Sequence, residues 1–297
     1  MSSFEQISVP RESTTVILVR KNDAGLGEVF LARRHQRQSF MAGAYVFPGG
    51  QVDVADSDLG LSHYIAATDN FNPQTILQDT SLTAELAQSL FVCAIRETFE
   101  ETGVLIAQTS GGNFIRLDSG LDSARFAHYR QELNRGKISF QDIAAKENLF
   151  FALHALIPYA HWITPEIVPK RFSTRFFLTR LPDGQTATTD SGELTDSLWV
   201  TPGSALKMQL NKEITLMPPT LKTLEELAAF IDIDELFEQA RHRTIYPILP
   251  EAAANVLLLP HDPEYSIAKY KRPARPDESS RFISTDGIWQ TGYCPNK

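Results

Sequence analysis

Cysteine is scarce: the 297 residues hold two, Cys93 and Cys294. Two such distant thiols form neither a disulfide framework nor the paired spacing of a zinc site, so a reducing, cytoplasmic setting is the expectation. Long apolar runs are missing as well. No stretch reaches the roughly 18 apolar residues of a membrane span, and no membrane partner is expected. Met1 to Arg11 contains Glu5 and no apolar run, which argues against a signal peptide. The closing Cys294-Pro295-Asn296-Lys297 is not a peroxisomal address of the Ser-Lys-Leu type. Positive charge is in deficit: 28 Lys and Arg stand against 36 Asp and Glu, a formal net charge of −8. A nucleic-acid binder normally carries a basic face, so no nucleic-acid partner is expected. A phosphate-bearing small molecule stays open, because a bound divalent cation supplies positive charge locally.

Hydrophobic residues make up 42% of the chain, ample for a core. Thr14 to Arg20 is β-branched and reads as a strand. Asn22 to Gly27 is turn material, and Glu28 to Arg34 reads as the partner strand of a hairpin. Ala44 to Phe47 is a further short strand, ended by Pro48-Gly49-Gly50. Leu59 to Ala67 is a helix candidate, broken by Asn70 to Pro73. Thr83 to Thr102 is helical without interruption, and Gly103 is a natural C-terminal stop. Leu121 to Leu133 and Phe140 to Asn148 are helix candidates, the second capped by Ser139. Strands return in Phe151 to Ile163, Arg171 to Arg180 and Ser197 to Val200. Thr201-Pro202 opens a helix; Leu221 to Ile231 and Asp234 to Arg241 are two more. Asn255 to Leu259 reads as a last strand. Residues 262–297, rich in Pro, Lys, Arg and Ser, are expected as an extended C-terminal tail. This order fits an α/β sandwich with a mixed sheet rather than a regular β-α alternation.

The helix through Arg96 carries the chemistry. Phe91, Ile95 and Phe99 stack on one face, with Val92 beside them. Glu97, Glu100 and Glu101 fall roughly opposite, at spacings i, i+3 and i+4. Three carboxylates within one turn repel each other by a few tenths of a kcal/mol per pair. A hard cation relieves that repulsion, and magnesium suits such oxygen ligands because it also keeps waters and bridges to phosphates. Arg96 sits four residues before Glu100 and is placed to orient it. Alone, three such glutamates read as a solvated acidic face. Gly49-Gly50 alters the balance, since a loop without side chains lets its backbone approach a metal or phosphate.

Together these residues resemble the Nudix family. The run Arg96-Glu97-Thr98-Phe99-Glu100-Glu101-Thr102-Gly103-Val104 matches the second half of its box, with Thr98 in place of the usual aliphatic residue. Gly50 opens the first half, and Asp56 stands at its acidic position instead of Glu. Between Asp56 and Arg96 lie 39 residues (57–95) where the family has seven, so 32 are inserted. A box interrupted in this way resembles the subgroup that contains a peroxisomal coenzyme A diphosphatase. Phe47 to Asp53, Phe91 to Glu101, Trp162 to Pro165 and Lys170 to Leu178 carry that likeness. It implies a Nudix-type α/β/α sandwich over residues 12–261, with a helical insertion at 57–90 within the box and additional C-terminal helices. A coenzyme A-specific segment before the box is matched by Gly43 and Phe47 to Gly50, and partly by Leu31 to Arg34. Ser39 stands where that segment has Arg.

The resemblance implies hydrolysis of a diphosphate linkage in a nucleoside diphosphate derivative, helped by Mg2+ or Mn2+ held by Glu97, Glu100, Glu101 and the Gly50 carbonyl. Arg96 would orient Glu100. Glu100 is the candidate base within the box; Glu193 and Glu166 are loop candidates, with His161 and His154 behind them. Arg33, Arg34 and Arg37 are candidates for phosphate contacts, and Tyr45, Phe47 and Trp162 for stacking. Coenzyme A or an acyl derivative is the leading substrate. ADP-ribose, a dinucleotide or a nucleotide sugar is the alternative, and a non-catalytic ligand sensor is the alternative of another class. Nudix enzymes often dimerise, so the resemblance allows a homodimer joined through 57–90 or 262–297.

Overall fold

Along Arg11–Lys21 successive side chains turn to opposite sides, and both sides are apolar: Val16 and Leu18 belong to one buried cluster, Ile17 and Val19 to another. Such a strand belongs inside a sheet covered on both faces. That is its position in the computed structural model, which describes residues 8–35, 41–189 and 194–294.

In chain order the elements begin with β1 (Arg11–Lys21), β2 (Gly27–Arg34), β3 (Tyr45–Val46), α1 (Pro73–Leu77), α2 (Ala84–Thr102) and β4 (Ala107–Thr109). Next come α3 (Gly120–Asn134), α4 (Phe140–Glu147), β5 (Leu149–Phe151), β6 (Ile157–Ile163), β7 (Phe172–Arg180) and β8 (Leu194–Val200). Then follow α5 (Pro202–Leu210), α6 (Pro218–Leu227), α7 (Ile233–Arg241) and β9 (Pro247–Ile248). The chain closes with β10 (Glu251–Ala253), β11 (Val256–Leu258), β12 (Arg281–Thr285) and β13 (Ile288–Gly292). The main sheet runs β3-β2-β1-β7-β6-β9, with β8 also paired to β2. It is mixed: β1 and β7 are parallel, and β1–β2 and β6–β7 are antiparallel.

Phe91, Ile95 and Phe99 of α2 pack against the Val16 and Leu18 face, with Phe126 of α3 and Phe140 of α4 behind them. Leu221 and Leu224 of α6 and Leu236 and Phe237 of α7 cover the opposite face. The α/β sandwich with its mixed sheet and added helices, expected from sequence, is the observed fold.

The helix expected at Leu59 to Ala67 is a short 3-10 segment, Leu59–Tyr64. The inserted residues do not simply loop out. Leu61, Leu77 and Leu82 are buried in the α2-side core, each contributing about 1.5–3 kcal/mol by burial. Asp79 pairs with Arg175 of β7 at 2.8 Å, and Gln78 bonds the backbone of Arg243 and Ile245. The insertion is thus a buttress on the helical face, and its final residues are the first turns of α2.

Residues 262–294 differ from the extended tail expected of them. β10–β13 form an antiparallel sheet. Phe282 and Tyr265 are fully buried, and Arg281 grips the buried Asp262 carboxylate with two bonds of 2.9 and 2.8 Å. Polar composition suggested a tail; an ion pair spanning 19 residues and two buried aromatics fold it back onto the body.

Candidate active site

Thr83 caps α2 by accepting the Leu86 amide, and Gly103 ends it in a left-handed conformation with φ of 74°. Thr98, the departure from the aliphatic pattern, is buried without penalty because its hydroxyl donates to the Ala94 carbonyl at 2.7 Å. The helix is therefore fixed at both ends and along its apolar face. Its glutamates project to a point where β1 meets the Pro48-Gly49-Gly50 turn.

That turn is stitched to β1. Val16 donates to the Pro48 carbonyl at 2.8 Å and Thr14 to the Gly50 carbonyl at 2.9 Å. Glu101 accepts the Gly49 amide at 2.8 Å. A Cβ on Gly50 would overlap the Glu97 carboxylate, so the missing side chain leaves room for a charged group.

Arg96 is the hub. Its Nε and Nη2 donate to the two oxygens of Asp56 at 2.7 and 2.9 Å. Its Nη1 lies 2.9 Å from Glu97 and 2.9 Å from Glu100, and Nη2 also reaches the Gln51 carbonyl at 3.2 Å. The Asp56 side chain is 1% exposed and that of Arg96 11%. Asp56 sits here because the 3-10 turn Val54–Ser57 is closed by a capping box with Asp53. Three carboxylates (Asp56, Glu97 and Glu100) thus surround one guanidinium, and Glu101 stands beside them on the Gly49 amide. Burial, opposed by Arg96 but helped by the Glu100 and Asp56 charges, pushes the Glu97 carboxyl up to about 7. The oxygen donors gathered here are of the kind a hard divalent cation takes.

The glutamates open into a cavity of about 1050 Å³. Gly49, Gly50, Glu97, Glu100 and Glu101 form one end. Arg34 and Lys170 add cationic groups, and Trp162, Phe176 and Met217 begin an apolar arm. Carboxylates, cations and apolar surface thus share one space, the arrangement that a phosphorylated molecule with an apolar portion requires.

A family model for the NUDT19 Nudix domain matches residues 11–227. The chain belongs to this Nudix family. It is a Nudix hydrolase, and hydrolases of this kind generally use a divalent metal. It is 27% identical over 290 residues to the Xenopus laevis protein named acyl-coenzyme A diphosphatase NUDT19, covering 82% of this chain and 74% of that one. The Homo sapiens protein of the same name is 28% identical over 274 residues, with 80% and 72% covered. A crystal structure of a NUDIX hydrolase from Alicyclobacillus acidocaldarius matches with a TM-score of 0.62 at 24% identity, over 78% of this chain and 97% of that one. That likeness concerns the fold.

Within this Nudix hydrolase the residues singled out by sequence separate into groups. Gly50, Glu97, Glu100 and Glu101 meet in the cavity, with Arg96 directly behind them. Of the substrate candidates, Arg34 lines the cavity, while Arg33 and Tyr45 are absent from its walls. Tyr45 instead donates to Asp196 at 2.8 Å; burial and that carboxylate push its hydroxyl up to about 12. Glu193 and Arg37 lie outside the described residues. Glu166 is exposed and does not line the cavity. His161 is a buried partner of Ser173 at 2.9 Å, and His154 lies beside Gln108; neither is at the site. Lys170 and the role of Asp56 were not assigned from sequence. Lys170 stands in a recognisable motif with no mark of its function, and Asp56 meets Arg96 only through folding. Among the described residues no helix is long and apolar enough to cross a membrane.

Proposed function

We propose that this Nudix hydrolase cleaves the diphosphate linkage of coenzyme A or an acyl-coenzyme A, with Mg2+ or Mn2+ bound. The observation that carries this reading is the single cavity that joins the α2 carboxylates to Arg34, Lys170 and an apolar arm. The names of the Xenopus and human relatives support it. ADP-ribose or a nucleotide sugar is polar at both ends and would leave that arm without a partner.

Glu97, Glu100, Glu101 and the Gly50 carbonyl are proposed to hold the cation. When bound it neutralises the diphosphate oxygens and lowers the pKa of its water. The chain's own residues do the positioning. Arg96, clamped by Asp56, sets the Glu100 carboxylate. Glu100 accepts the proton of the attacking water as the water oxygen bonds phosphorus; the bridging P–O bond breaks and two phosphomonoesters leave. Glu193 is the alternative for that base. Arg34 and Lys170 face the remaining phosphate charge. A reducing, cytoplasmic setting is proposed from the scarcity of cysteine, Cys93 and Cys294 alone in 297 residues.

Glu100→Gln tests this. It should abolish magnesium-dependent cleavage of coenzyme A while thermal unfolding stays unchanged. Unaltered turnover would sink the assignment. A panel of coenzyme A, ADP-ribose, NADH and diadenosine polyphosphates, with products identified, tests the substrate.

A further inference from the structure

We infer that the C-terminal sheet β10–β13 gauges the length of the acyl group that the enzyme accepts. This rests on the coenzyme A reading above. The apolar lining of the cavity is built from two sources. Trp162, Phe176 and Pro218 belong to the domain matched at residues 11–227, whereas Ala252, Leu257 and Trp289 come from the added sheet. The sheet therefore supplies a wall that the matched domain lacks.

The wall is fixed in place. Phe282 of β12 is fully buried, with its ring 6.4 Å from that of Trp162. Gln209 of α5 donates to the Trp289 carbonyl at 3.0 Å while accepting the Leu216 amide at 2.8 Å. The Asp262–Arg281 pair anchors the connection between β11 and β12. A rigid apolar wall limits how many methylenes can leave water, and each one buried is worth roughly fourfold in affinity.

The test compares Ala252→Phe, which fills the arm, with Trp289→Ala, which removes part of its wall. Substrates are free, acetyl-, octanoyl- and palmitoyl-coenzyme A. Ala252→Phe should lower kcat/KM for the octanoyl and palmitoyl forms by at least about tenfold, chiefly through KM, and spare free coenzyme A. Trp289→Ala should raise KM for palmitoyl-coenzyme A and leave acetyl-coenzyme A near its original value. A parallel fall for free coenzyme A, or no change for the long acyl forms, overturns the inference. If the parent chain cleaves no coenzyme A species, the functional reading fails by itself. Titration of tryptophan fluorescence with palmitoyl-coenzyme A in EDTA then decides the inference. A saturable change weakened about tenfold by Ala252→Phe supports it; no saturable change, or one the substitution leaves unaltered, refutes it.

Discussion

Removing Asp56 tests whether Arg96 organises the carboxylates. Its carboxylate accepts Arg96 Nε and Nη2 at 2.7 and 2.9 Å and the Asp53 amide at 2.8 Å. Asp56→Ala leaves a guanidinium that is 11% exposed without its bidentate partner. Breaking one side of a buried pair costs about 3–5 kcal/mol. Arg96 keeps Glu97 and Glu100, each at 2.9 Å, so the lower end, about 3 kcal/mol, is expected. The freed guanidinium would also draw those glutamates closer, and magnesium affinity should fall about tenfold to a hundredfold. Urea denaturation of Asp56→Ala, Arg96→Met and the double variant completes the cycle. The double variant should be more stable than the sum of the singles predicts, with a coupling of about 2–3 kcal/mol. Coupling below about 0.5 kcal/mol would show that the pair acts independently and would refute the reasoning.

Two adjacent glycines should respond differently. Gly50→Ala meets the movable end of Glu97, so the fold should survive while magnesium affinity, read by isothermal titration, drops about tenfold or more. Gly49→Ala meets the Thr14 and Thr15 backbone, which cannot give, and its unfolding midpoint should fall sharply. His161 predicts an acid dependence. Burial, with Arg175 next in weight and Asp79 opposing, lowers it from 6.5 to about 3. The unfolded chain therefore takes up the proton first. The stability tied to the neutral ring is complete above about pH 6.5 and is lost as pH falls toward about 3, a total of about 5 kcal/mol at about 1.4 per pH unit. Urea midpoints of the parent chain should fall more steeply with acid than those of His161→Asn; parallel curves would refute this.

Much of the site was legible in sequence because it lies on one helix. The spacing of Phe91, Ile95 and Phe99 against Glu97, Glu100 and Glu101 fixes which face is core and which is acidic. Thr83, Gly103 and Ser139 mark helix ends through local bonds. Tyr45 misled because an aromatic beside the box looks available until Asp196, 151 residues away, is seen to hold it. The tail misled because charge content hides long-range pairing.

What the sequence determined by itself was the local and periodic: a β-branched strand buried on both faces, a capped helix carrying its carboxylates on one side, a glycine turn, and a box spacing too particular for chance. Tertiary structure alone decided what depends on residues far apart in the chain. It brought Asp56 across the insertion to Arg96, set Lys170 in the cavity, and folded β10, β11 and β13 into its wall. The physical reason is the same in each case. Helical periodicity and caps are written in neighbouring residues, whereas a buried ion pair or a shared cavity wall exists only after distant segments have left water together.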